Sequence, residues 1–167
     1  MMDRVDDILA QWRRERPDLD VGPMGIIGRM RRISQHLLRG MEKTFAEHGL
    51  QDGSFDVLAT LRRSGPPYAL SPGDLLRTMM ITSGTMTNRV DQLEKAGLVK
   101  RTPNPEDGRG FIVSLTKKGF NLIDATMTAH VETQKRLTSA LSKEERATLN
   151  ALLGKYLASF EAAERGD

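Results

Sequence analysis

Apolar residues recur at three- and four-residue steps along most of the 167-residue chain, a spacing that predicts a mainly α protein. Val5, Ile8, Leu9 and Trp12 mark an amphipathic leading helix, with Arg13, Arg14 and Arg16 behind them and Pro17 ending it. After the linker 18–23, Ile26, Met30, Ile33, Leu37, Met41 and Phe45 form the stripe of a long helix over Gly25 to His48, closed by Gly49. Asp52-Gly53-Ser54 is expected to cap a shorter helix with Phe55, Leu58 and Leu61 pointing inward, and Ser64-Gly65-Pro66-Pro67 breaks the chain. Ser71-Pro72-Gly73-Asp74 reads as a capping box for a short helix carrying Leu75, Leu76 and Met79. Thr82-Ser83-Gly84 then caps a further helix whose buried stripe is Met86, Val90 and Leu93, with Gly97 as its stop.

At Leu98 the pattern changes. Leu98 to Thr102 reads as a strand, Pro103-Asn104-Pro105-Glu106-Asp107-Gly108 as a turn, and Phe111, Val113 and Leu115 as a half-buried return strand. Beyond it Thr116 can cap a long helix carrying Phe120, Ile123, Met127, His130, Gln134, Leu137 and Leu141. Ser142-Lys143-Glu144-Glu145 opens the last helix, with the stripe Leu149, Leu152, Leu153, Tyr156 and Phe160. Helix, tight turn, polar-faced helix and hairpin with a charged tip predict a winged helix-turn-helix with a small β-hairpin wing. The final two helices look too apolar to stay exposed and too remote to join that core. Pairing them, together with the long helix, with a second copy predicts a homodimer. The whole chain, 1–167, reads as one domain: 1–17 a leading helix, 50–116 the winged core, and 22–49 and 117–165 mainly dimerisation helices.

Composition removes several classes of function. There is no cysteine, which excludes disulfides, thiolate metal sites and thiol redox sensing. No apolar run resembles a leader or a membrane span, so the expected place is the cytoplasm, with no membrane partner. Nothing resembles a nucleophile elbow, a phosphate-cradling glycine loop or a pocket carboxylate pair, so no catalytic residue and no enzyme activity is expected. His36, His48 and His130 are scattered, which predicts no metal site and no cofactor. A net charge of +3 is small, but Lys100, Arg101 and Arg109 all flank the hairpin.

The expected partner is double-stranded DNA. Ser83, Thr85 and Thr87 can reach phosphates or base edges, and Asn88 and Gln92 carry amides able to pair with adenine. The plainer alternative is a polar face in water. Arg109 sits at the hairpin tip beside Asp107, and a protruding guanidinium suits the narrow minor groove of A·T-rich DNA. Arg89 lies about 60° from the centre of the Met86-Val90-Leu93 stripe at 100° per residue, so it flanks the core.

With Leu93-Glu94-Lys95-Ala96-Gly97-Leu98-Val99 and the wing pattern Asp107-Gly108-Arg109 running into Leu115-Thr116, the chain resembles the multiple-antibiotic-resistance regulator (MarR) family over about residues 22 to 160. The resemblance implies a homodimeric winged-helix transcription factor, usually a repressor at an inverted-repeat operator, released by a small-molecule effector. It also implies that Arg109 is the minor-groove residue and that Asp107 orients it. The family commonly has an arginine where this chain has Asn88 and an apolar residue where it has Arg89. That departure matches a subgroup: Trp12, Asp56, Arg89 and Arg101 together resemble the signature of the urate-responsive branch. The implied site binds urate or another small organic anion. Each residue also has an ordinary reading: Trp12 as a core anchor, Asp56 and Arg89 as a structural ion pair, Arg101 as a phosphate contact. Other readings are a constitutive DNA-binding protein or a helical interaction adaptor on the same scaffold.

Overall fold

The computed structural model describes residues 2–79, 86–105 and 110–165, with residues 164 and 165 described by backbone alone. Helix α1 (Arg4–Glu15) starts on a reciprocal cap: Asp3 accepts from the Val5 and Asp6 amides, and Asp6 accepts from the Asp3 amide. It lies antiparallel on the first turns of α2 (Gly22–Glu47), with Leu9 over Gly25 and Val5 over Gly28. Val21 completes that small cluster, and Arg29 reaches back to Asp3 at 2.8 Å and Asp6 at 2.5 Å. Only half of the expected apolar stripe of α1 is used, because Ile8 and Trp12 remain exposed.

α3 (Asp52–Arg63) buries Phe55, Leu58 and Leu61 as expected, together with Val57 and Ala59. Its cap differs from the expectation. Gln51 is the N-cap, with its carbonyl accepting from the Phe55 amide, so Asp52 already lies inside the first turn. There the Asp52 carboxylate meets the positive end of the helix dipole and caps nothing. α4 (Pro72–Thr78) begins as its sequence predicts, with the Ser71 hydroxyl accepting from the Asp74 amide at 3.1 Å. α5 (Met86–Lys95) buries Met86, Val90 and Leu93 and ends before Gly97, whose φ of +70° is the left-handed conformation that glycine adopts without cost. The Thr82-Ser83-Gly84 cap falls outside the described residues.

The expected hairpin is a three-stranded antiparallel sheet in the order β1-β3-β2, made of β1 (Ala69–Leu70), β2 (Val99–Pro103) and β3 (Phe111–Leu115). Lys100 faces Ser114, Arg101 faces Val113, and Leu70 faces Val113 from the other side. β1 is too short to show a period, so the sequence pattern does not reveal it.

α6 (Lys117–Leu137) corrects an expectation. It is the hub of the winged body: Ile123 and Thr126 are fully buried, and Ile123 belongs to the same core as Phe45, Leu58, Leu61, Leu75, Val90, Val99 and Val113. Its buried line is Gly119, Ile123, Thr126 and Thr133, and it includes two threonines that an apolar stripe passes over. Their hydroxyls are satisfied, Thr126 by the Leu122 carbonyl at 2.8 Å and Thr133 by Thr44 of α2 at 2.8 Å, so their burial incurs no unpaired polar group.

α7 (Lys143–Arg165) starts on the expected box, with the Ser142 amide bonded to Glu145 at 2.7 Å and the Glu145 amide to Ser142 at 3.1 Å. It buries none of its described side chains. Leu149, Leu152, Leu153 and Tyr156 instead line an open groove of about 500 Å³ with Pro23, Ile26, Ile27 and Met30 of α2. No helix among the described residues is long and apolar enough to cross a membrane.

Candidate nucleic-acid interface

The buried stripe of α5 fixes what its other face can do. With Met86, Val90 and Leu93 turned into the core, Thr87, Asn88 and Gln92 stand exposed on the far side. That places two amides and a hydroxyl on one solvent-facing strip, the donor and acceptor set that base edges in a major groove accept. Ser83, Thr85, Asp107 and Arg109, the remaining expected DNA contacts, lie outside the described residues.

The frame behind α5 is closely packed and hydrogen-bonded where it meets the wing. The Thr116 hydroxyl donates to the Gly97 carbonyl at 2.7 Å, the Thr116 amide donates to the Leu98 carbonyl at 3.1 Å, and Gly119 packs so closely that a β-carbon there would overlap that carbonyl. Behind α3, the Arg62 guanidinium bonds Asp124 of α6 at 2.7 Å and lies over the rings of Phe120 and Tyr68. Arg63 bonds the Thr78 carbonyl at the end of α4. The helices that carry α5 are therefore braced from both ends.

The four residues of the resembled anion site do not converge in one chain. Arg89 is half-buried, and its guanidinium lies directly on Gly53, where a β-carbon would overlap it. Asp56 follows Gly53 by one turn on the same face of α3, so Asp56 and Arg89 share the α3–α5 junction. Arg101 points elsewhere. Its guanidinium bonds Asp91 at 2.5 Å and Glu94 at 2.7 Å, its amide donates to Glu94 at 3.0 Å, and it stacks 5.0 Å from the centre of the Phe111 ring. Asp91 lies about 200° around α5 from Arg89, so these acids hold Arg101 away from the Asp56 side. The bond to Asp91 raises the Arg101 guanidinium above its ordinary pKa, against the opposing effect of burial.

Trp12 is farther still. One turn beyond Leu9, it stands level with the start of α2, whereas α3 meets the other end of α2 through the stacked rings of Phe45 and Phe55, 4.1 Å apart. About 35 Å of helix separates the two levels at 1.5 Å per residue. Gly53, Asp91 and Glu94 are the partners that the sequence pattern does not single out. The two acids do leave a signal, since they sit at i, i+3 on the helix that runs into Lys100-Arg101.

No group of three metal-ligating side chains occurs among the described residues. A family model described as the MarR family matches residues 48–110, from the end of α2 up to the start of β3. The HTH-type transcriptional regulator PecS of Dickeya dadantii is 46% identical over 151 residues, which is 90% of this chain and 91% of that protein. Among solved structures, a mutant MarR from Escherichia coli complexed with operator DNA superposes with a TM-score of 0.69 at 26% identity, over 87% of this chain and 97% of that one. Bordetella bronchiseptica BpsR, whose structure concerns regulation of DNA binding by 6-hydroxynicotinic acid, gives a TM-score of 0.68 at 25% identity, over 76% of this chain and 89% of that one. Fold, exposed helix face and these likenesses agree: the chain belongs to the MarR family of winged-helix, DNA-binding transcription regulators, and it is not an enzyme.

Proposed function

We propose that this regulator is a cytoplasmic repressor that binds an inverted-repeat operator as a homodimer and is released by a small anion. One observation carries the reading: Thr87, Asn88 and Gln92 all stand exposed, away from the buried face of α5, beside a braced wing. Ser83, Thr85, Asp107 and Arg109 extend this DNA surface, with Arg109 entering the minor groove. The two-fold axis sets half-sites about 10 base pairs apart, centre to centre.

The effector site is the α3–α5 junction, where Arg89 lies on Gly53 and Asp56 stands one turn further along α3. A flat anion such as urate pairs with Arg89 there and competes with Asp56 for it, shifting the reader helix to which Arg89 belongs. Ligand and DNA then weaken each other by the same factor. BpsR, regulated by 6-hydroxynicotinic acid, supports an aromatic organic acid as the class of effector. Trp12 adds its indole to this site only from the partner subunit, given its position at the other end of α2, and Arg101 acts on the wing instead of the ligand.

The test is a mobility shift on the DNA upstream of the protein's own gene, followed by titration with urate, other purines and aromatic acids. The wild-type complex is expected to dissociate with one of them, and Arg89→Ala to resist release while still binding DNA. Asn88→Ala should relax base preference at one or two positions per half-site by about 1–3 kcal/mol. Identical selected motifs for wild type and Asn88→Ala would remove Asn88 as a reader, and release of Arg89→Ala at wild-type ligand concentrations would remove the anion site.

A further inference from the structure

Arg101 occupies an unusual position for a cation beside a DNA-reading helix, because both of its acidic partners sit on that helix. On β2 it points to the same side as the buried Val99, while Lys100 and Thr102 face solvent. Its side chain is 24% exposed. The main-chain amide and the guanidinium of this one residue hold both oxygens of Glu94, at 3.0 and 2.7 Å, and the second terminal nitrogen takes Asp91 at 2.5 Å. Phe111, across the ladder on β3, closes the remaining face. The clasp therefore joins α5, β2 and β3 through one guanidinium whose planar fork matches both acids.

Outside the clasp, α5 reaches β2 through the turn at Gly97 and the buried side chains of Leu98 and Val99. Beyond Val99, β2 exposes Thr102 and Pro103. Among the described residues, the clasp is thus the outermost bond between the reader helix and the wing. Two carboxylates on a helix that approaches phosphates oppose binding by charge alone. Their presence calls for a compensating role.

We infer that the Asp91–Arg101–Glu94 clasp sets the angle of the wing against the reader helix, and that Arg101 is a positioning residue for DNA recognition. This rests on the reading that α5 and the wing both touch DNA. It leads to an outcome opposite in sign to simple electrostatics. Neutralising the acids removes negative charge near DNA, which by charge alone tightens binding. If the acids hold the wing in place, the same change loosens it.

The experiment uses full-length Asp91→Asn/Glu94→Gln, Arg101→Met, Arg101→Lys and the triple combination with Arg101→Met, each checked for its melting midpoint. Affinity is read by fluorescence anisotropy on a duplex selected from a random pool by the wild-type protein. Hydroxyl-radical and base-methylation footprints separate the wing's flank of each half-site from the major-groove centre. The acid double variant and Arg101→Met are each expected to lose at least threefold in affinity and to lose flank protection first, keeping the central footprint. The triple variant should lose little more than either, because all three residues form one unit. Arg101→Lys keeps the charge but not the fork, and should fall between.

Equal or tighter binding by the acid double variant overturns the clasp, as does an Arg101→Lys protein that binds like wild type while Arg101→Met does not, the behaviour of a phosphate contact. Loss of central and flanking protection together also overturns it. A wild-type protein that selects no duplex overturns the DNA reading as well, so the two failures are distinguishable.

Discussion

His130 shows how a single side chain registers the packing of three helices. It stands on α6 with the Phe45 ring of α2 at 5.2 Å and the Phe55 ring of α3 at 4.9 Å. Its Nε2 is 2.9 Å from the Gln134 amide nitrogen, so it accepts a hydrogen bond from that group, and its Nδ1 is buried without a hydrogen-bond partner. Burial pushes its pKa below the ordinary 6.5, and the Asp52 carboxylate only partly offsets this. Between the lowered folded value and the unfolded one, the unfolded chain holds more protons. His130 therefore contributes stability that is present above about pH 6.5 and is lost as pH falls through the folded value. In urea titrations at pH 7.5 and pH 5, the wild type should lose more of its midpoint on acidification than His130→Gln does. Equal losses would mean that the ring charges freely where it sits.

At the scale of elements, the contact that places α6 against the reader unit is backbone on backbone. The missing side chain at Gly119 lets α6 close on the Leu98 carbonyl, which also accepts from the Thr116 amide. A methyl group at Gly119 meets main chain and not the far end of a flexible side chain, so either the first turn of α6 or the α5–β2 turn must move. Gly119→Ala should cost at the upper end of the roughly 1–3 kcal/mol seen for overpacked interiors, and should weaken DNA binding as α5 shifts. A calorimetric melting temperature within a degree or so of wild type would show that this junction yields cheaply. Gly73, exposed and with only the Ser71 hydroxyl near its would-be β-carbon, serves as the control position that should tolerate alanine.

For the whole molecule, the open question is what covers the apolar faces of α2 and α7. Ile26 is 61% exposed, Leu152 61% and Leu157 56%, on helices that otherwise obey amphipathic spacing. Contiguous apolar faces of this size mark association surfaces, and two-fold pairing of these faces would give the homodimer proposed above. Ile26→Glu with Leu152→Glu places charges where the partner's apolar side chains belong. Sedimentation should then report monomers, with helical content retained because neither residue belongs to the buried core of its own chain. Operator affinity should fall by more than the single-site contacts explain, since a monomer engages one half-site. A charged double variant that sediments like wild type would move the dimer surface elsewhere.

Much of this protein is written locally. The caps at Ser71, Thr116 and Ser142, the turn at Gly97 and the face of α5 that must stay wet each depend on residues within a turn or two, and all are legible in the chain. The winged fold follows from the order of those elements. Distant residues decide the rest. Thr126 and Thr133 look polar in a list of residues, and only the packed helices supply the partners that make burying them cheap. β1 exists because β3 offers it an edge. Trp12, Asp56, Arg89 and Arg101 resemble the signature of one anion site, yet α1 docks at the start of α2, α3 meets its end, and two acids on α5 turn Arg101 toward the wing. Helical periodicity fixes which way a side chain leaves its own axis. Which neighbour it then meets depends on how the axes are stacked, and that is settled by burial summed over the whole core.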